Sequence, residues 1–147
     1  MIDSIREAGL VGKGGAGFPT HRKMRLLFEQ PGRKKFLVLN GSEHEPGSYK
    51  DRHLLEQYPH TVLEGALILA YAVKASDVII AINESLPECV KQFEAALRAA
   101  RDAAIDFAGV TVEVRTVPDV YIVGEEAALL EGLEGRQALP RKKPPYP

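Results

Sequence analysis

The sequence predicts an α/β fold: a mainly parallel, four-stranded sheet with helices on both faces. Three observations carry that expectation. Strand-like and helix-like segments alternate along the chain. The first two strands, residues 36–39 and 77–82, are near-continuous apolar runs, as expected where both sheet faces are covered. The 147 residues, 45% hydrophobic and 27% charged, suit one domain with its own core.

Residues 3–10 form a short amphipathic segment, and residues 11–20 are glycine-rich. Residues 21–30 read as a helix with Met24, Leu27 and Phe28 on one side, stopped by Pro31 and Gly32. The first strand follows, then a turn-like stretch with Gly41, Pro46 and Gly47. Pro59 opens a helix whose inner face is Val62, Leu63, Ala66, Leu67, Ala70 and Tyr71. After the second strand, Ser85 with Glu88 three residues on reads as a capping box, and the helix runs to about Ala104. Residues 110–114 and 120–123 complete the set of four strands. Gly124 ends the last, and residues 125–133 read as a helix. The expected domain is 1–138, with 139–147 an extended tail holding four prolines.

Composition excludes several function classes. A net charge of -1 and the absence of tryptophan give no footprint for nucleic acid. The single cysteine, Cys89, cannot build a disulfide, a zinc site or an iron–sulfur site alone. His21, His44, His53 and His60 lack metal-ligand spacing, so no metal site is expected. The most apolar window, residues 62–73, is too short to span a bilayer and contains Glu64. No signal peptide is read, and the chain is expected to be cytoplasmic and not membrane-embedded.

Gly12, Gly14 and Gly17 match G-x-G-x-x-G literally, but a helix-like segment rather than a strand precedes them, so they are not a Rossmann fingerprint. The chemistry of the loop survives that rejection. Gly12, Gly14, Gly15 and Gly17 let the backbone approach a ligand closely, and a helix N-terminus behind Pro19 and Thr20 favours an anion, with Lys13 and Lys23 adding charge. Spacing alone equally allows a plain surface loop. Likewise Asn40 and Gly47 suit a turn, Glu43 and Glu45 a solvated loop, and Glu125 and Glu126 the first turn of a helix. Phe18 and Tyr146 suit packing, and Arg141 to Lys143 a solvated tail. No nucleophile or acid–base dyad stands out, so no catalytic side chain is assigned.

Taken in order, Gly12-Lys13-Gly14-Gly15-Ala16-Gly17-Phe18-Pro19-Thr20 resembles the opening motif of a known family, the FMN-binding 51 kDa subunits of respiratory NADH dehydrogenase. Asn40 to Gly47 with Lys50-Asp51-Arg52 is similar to its second motif. Gly124-Glu125-Glu126, Ala128 to Glu131 and Leu133 to Arg136 resemble the third, and Pro140-Arg141 with Lys143 to Pro147 its continuation. Pro19-Thr20-His21 and Asn40 to Pro46 also resemble the related ferredoxin:NAD oxidoreductase C subunit.

The resemblance implies a Rossmann-like flavin domain that binds FMN, oxidises NADH and passes electrons to iron–sulfur partner subunits. It implies FMN contacts from Gly12, Gly14, Gly15, Gly17, Lys23, Asn40, Ser42, Glu43, Gly124 and Glu125. It implies NADH contacts from Phe18, Glu45, Glu126, Lys143 and Tyr146. Ser42 stands where the family has Asp, and His44 where it has a glycine, adding bulk to the turn. Leu26 replaces an aromatic and Val123 a cysteine. The family continues into an asparagine pair, a ubiquitin-like domain and a helical iron–sulfur domain. No cluster is therefore expected in this chain. The alternative is a truncated module that binds FMN or a partner without NADH turnover.

Overall fold

A computed structural model describes residues 1–32 and 34–143. Its centre is a parallel three-stranded sheet in the order β1 (Phe36–Gly41), β2 (Asp77–Asn83), β3 (Thr111–Val117). Phe36 pairs with Asp77 and Gly41 with Ile82; Asp77 in turn pairs with Thr111 and Asn83 with Val117. β2 is the middle strand, and Val78 through Asn83 are all buried. That burial is the physical reason its sequence is a continuous apolar run.

Side chains alternate across the sheet. Val78, Ile80 and Ile82 point to one face, together with Leu37, Leu39 and Val112. That face is covered by α3 (Lys50–Gln57), α4 (Pro59–Val73) and α5 (Pro87–Asp102). α4 supplies Leu63, Ala66, Ala70 and Val73 at helical spacing, and α5 supplies Cys89, Phe93 and Leu97. α1 (Ile2–Glu7) packs on α2 (Thr20–Glu29), which packs on α4 through Met24 and Leu27. On the opposite face Ala81, Val117 and Val38 meet Val123 and Leu129. These last two come from a 3-10 helix (Tyr121–Gly124) and α6 (Glu126–Leu133).

Two expectations need correction. The fourth strand is absent among the described residues, because residues 121–124 wind into the 3-10 helix instead. Pro118 and Asp119 break the extended chain after β3, and Val123 then reaches the second core cluster from a tight turn. The capping box at Ser85 does not form either. The Ser85 hydroxyl and amide both donate to the Asn83 side chain (2.8 and 2.9 Å), and Glu88 pairs with Gln92 and Lys91. Asn83 is a buried amide at the end of the central strand, so local satisfaction of its oxygen outweighs a cap. α3, which periodicity did not reveal, is an added element. Residues 139–142 have no regular structure, and Arg141 ties them to Glu131 and Glu134 of α6.

Candidate functional site at the carboxyl ends of the strands

Open α/β sheets present ligands to the loops beyond the carboxyl ends of their strands. Three sequence-predicted segments lie there or reach there. The first is the glycine loop. Its base is closed by a bridge between Val11 and Pro19, with the Gly12 amide donating to the Phe18 carbonyl at 2.9 Å. Gly15 (φ +100°) and Gly17 (φ +61°) hold backbone conformations that side chains resist. A Cβ at Gly14, Gly15 or Gly17 would meet nothing within 4 Å, so this backbone is open on its outer side. Phe18 is about half exposed (47%), and Lys23 projects from the second turn of α2.

The second segment is the turn after β1. The Asn40 amide donates to the Gly124 carbonyl at 3.0 Å, and its oxygen accepts from the amide and hydroxyl of buried Ser42. Glu43 adopts a left-handed conformation (φ +37°), and its carboxylate accepts from the amides of Asp51 (2.7 Å) and Arg52 (2.8 Å). It therefore caps α3, which has no side-chain cap of its own at Tyr49. Exposed Glu45 accepts a hydrogen bond from the Tyr121 hydroxyl at 3.0 Å. That carboxylate pushes the Tyr121 phenol above its ordinary value.

The third segment is the start of α6. Glu125 is its N-cap, accepting from the amides of Ala127 and Ala128, each at 2.8 Å. Lys143 from the tail lies between Glu125 (2.8 Å) and Glu126 (2.6 Å), and Lys23 reaches Glu126 at 3.4 Å. Burial opposes the charged form of Glu125, but the Lys143 ammonium and the Ala128 and Ala127 amides outweigh it and hold the carboxyl below the ordinary range. Lys143 first, against burial, does the same for Glu126 with help from Lys23. Glu125 and then Glu126 raise the Lys143 ammonium in return.

The structure thus links the second and third segments through Asn40–Gly124 and Glu45–Tyr121, and the first to the third through Lys23–Glu126. Tyr146 lies outside the described residues. Sequence reasoning missed Tyr121, Asp119 and Asn83. A polar residue closing an apolar strand was the available signal for Asn83, and the Pro118-Asp119 pair was the signal that the chain turns before Tyr121. Among the described residues no group of three or more potential metal ligands occurs, and no helix is long and apolar enough to cross a membrane. A cleft of about 520 Å³ lies at the other end of the sheet, lined by Met1, Tyr71, Lys74, Ser76 and Gly109. It borders the amino ends of β2 and β3, away from the three segments.

Residues 5–147 match the model of the Nuo51 FMN-binding domain family. The chain belongs to that family. Among its relatives, the F subunit of the Rhodobacter capsulatus NADH-quinone oxidoreductase is 40% identical over 159 residues, covering all of this chain and 36% of the relative. Its Escherichia coli (strain K12) counterpart is 39% identical over 155 residues, covering all of this chain and 35% of the relative. A crystal structure of an NAD+-reducing NiFe hydrogenase in the H2-reduced state superposes with a TM-score of 0.92 at 40% identity, over 99% of this chain and 26% of that one. The chain thus spans little more than a third of the length of the curated relatives it matches. As a member of the Nuo51 FMN-binding domain family, it shares the fold of that hydrogenase chain, here built on a three-stranded parallel core.

Proposed function

We propose that the three linked segments bind FMN and position NADH beside it, so that the chain acts as the NADH-oxidising domain of an electron-transfer complex. The observation that carries this reading is the linking of the second and third family motifs beyond the carboxyl end of β1, with Lys23, just past the glycine loop, reaching Glu126. The residues fit the group in a specific way. The outer side of the glycine loop is open backbone where side chains would block a flat ligand, and two lysines converge on the start of α6.

Gly12, Gly14, Gly15, Gly17 and Lys23 would hold FMN from one side. Asn40, Ser42, Glu43, Gly124 and Glu125 would hold it from the other. The Asn40, Glu43 and Glu125 side chains are already bonded to Gly124, α3 and α6, so their part is to fix the backbone that meets the cofactor. Phe18, Glu45, Glu126, Lys143 and Tyr146 are proposed for NADH, with Lys143 and Lys23 available to its phosphates once released from Glu126. When bound, FMN supplies the chemistry: it takes a hydride from NADH and passes electrons on singly. This chain's own groups contribute binding, orientation and charge.

The electrons would go to iron–sulfur centres held elsewhere, because the single cysteine cannot ligate a cluster alone. We place the domain in the cytoplasm, peripheral to such a complex, and assign it residues 1–138 with 139–147 as a tail. Incubating the purified chain with FMN, desalting it and recording its visible spectrum tests the reading. A retained yellow chromophore is expected, and a colourless protein whose melting temperature ignores FMN would sink it. A second reading is a module that binds FMN without turning over NADH, since Glu126 and Lys143, two of the groups proposed for NADH, are bonded to each other. Rapid anaerobic mixing of the loaded chain with NADH separates the two: bleaching supports the first reading, stable colour the second.

A further inference from the structure

Asn83 closes the central strand and is buried, 3% exposed, at the end of an otherwise apolar run. A buried amide is costly unless its groups are bonded, and this one is bonded on both sides. Its oxygen accepts from the Ser85 amide (2.9 Å) and hydroxyl (2.8 Å), and its Nδ2 donates to Asp119 Oδ1 at 2.8 Å, 36 residues further along the chain. The Asp119 amide donates to Glu84 (3.3 Å), and the Glu84 amide to the Val117 carbonyl (2.9 Å). The turn after β2 therefore grips the turn after β3 at three points. His44, from the turn after β1, stands 3.4 Å from the same Asp119 oxygen, so all three strand ends meet at one carboxylate. Two residues beyond Asp119 the Tyr121 hydroxyl donates to Glu45, and Gly124 then accepts from Asn40. Those two bonds join the second segment to the third. The 3-10 helix that carries both is a single turn with Val123 as its one buried residue, so its place depends on how Asp119 is held just before it.

We propose that Asn83 is a positioning residue of the FMN site: by holding Asp119 it sets the single-turn helix where Tyr121 meets Glu45 and Gly124 meets Asn40, and so fixes the second and third segments against each other before the cofactor arrives. This rests on the FMN reading above. Asn83 itself touches no ligand. Its part is preorganisation, because a fully bonded buried network rigidifies the backbone that carries the binding groups. An apolar residue at position 83 would continue the strand as Ile82 does, but it would leave Asp119 and Ser85 unheld.

The test exchanges the two partners in the full chain and measures FMN affinity by flavin fluorescence, well below the melting temperature of every variant. Asn83→Asp sets two carboxylates against each other and should weaken binding roughly tenfold or more. Asp119→Asn keeps an acceptor oxygen for the Asn83 amide, and the double exchange restores one amide and one carboxylate with the bond reversed. Both should bind within about threefold of wild type. Val112→Ala, a buried core change at the amino end of β3, controls for lost stability alone: it should melt lower yet also bind within about threefold of wild type. Wild-type affinity in Asn83→Asp, no rescue by the double exchange, or an equal loss in Val112→Ala would overturn the positioning role. A ligand-free readout keeps the two failures apart. In two-dimensional NMR spectra of the free chain, the amide resonances of residues 40–45 should move in Asn83→Asp and return in the double exchange. Unmoved resonances overturn the positioning role whether or not FMN binds, whereas a wild-type chain that takes up no FMN overturns the flavin reading.

Discussion

Replacing Glu43 separates structural from ligand-contacting roles within one turn. Its carboxylate accepts two amide hydrogen bonds at the start of α3, at 2.7 and 2.8 Å. Loss of a cap costs about 0.5–2 kcal/mol, and loss of the charge at a helix N-terminus about 0.3–1 kcal/mol. Glu43→Ala should therefore destabilise the chain by about 2 kcal/mol. At roughly 2–4 °C per kcal/mol for a chain of this size, the melting temperature should fall by about 4–8 °C. Glu43→Gln keeps one acceptor oxygen and should lose about half as much. Glu43→Gly also loses the cap, but it relieves the left-handed backbone (φ +37°), a relief of about 1 kcal/mol. Glycine should thus be better tolerated than alanine, the reverse of the usual order in a turn. Glu45→Gln removes only an exposed contact with Tyr121 and should shift melting by about 1 °C or less. Thermal unfolding by circular dichroism reads all four. An alanine variant as stable as wild type would refute the capping role, and a glycine variant less stable than alanine would refute the cost assigned to the left-handed backbone.

Further expectations follow from the same geometry. A Cβ at Gly41 would sit 3.1 Å from the Ala81 carbonyl of the central strand and 3.1 Å from Leu55 Cδ1, so Gly41→Ala should cost about 1–3 kcal/mol by chemical denaturation. Asn40→Asp turns a donor to the Gly124 carbonyl into a repelling carboxylate; it should weaken FMN binding at least tenfold in a fluorescence titration. Glu125 and Glu126 are held below the ordinary Glu value of 4.5. Their contribution is complete above that value and is lost as pH falls through the depressed one, so acid melting should be blunted in Lys143→Met. Burial, then Glu56, pushes the Cys89 thiol up to about 11, so native Cys89 should resist iodoacetamide and react after unfolding.

The sheet was legible because residues 36–39 and 77–82 are near-continuous apolar runs, and in β2, the central strand, burial on both faces is the reason. α4 was legible from its opening proline and its inner face, although Tyr71, read as part of that face, is exposed, and α5 from its opening proline. The end of the chain was less so. Val120-Tyr121-Ile122-Val123 satisfies a strand pattern, but only Val123 is buried, and that needs one inward position rather than a pleat. α3 escaped because its cap is supplied by Glu43, seven residues before its first residue, and no local cap signal exists at Tyr49. The family was legible as an ordered set of motifs. The division of labour within the candidate site was not, because whether an acid caps a helix or faces a ligand depends on where distant amides point. Glu43 and Glu125, read as cofactor contacts, have carboxylates bound to α3 and α6. Tyr121, absent from that reading, holds Glu45 in place.

The most direct test of the account is a crystal structure of the chain with FMN. The flavin is predicted to lie against the outer side of the glycine loop, between the turn after β1 and the start of α6. Density for the flavin in the cleft beside Met1, Tyr71 and Lys74, or nowhere near these three segments, would contradict it.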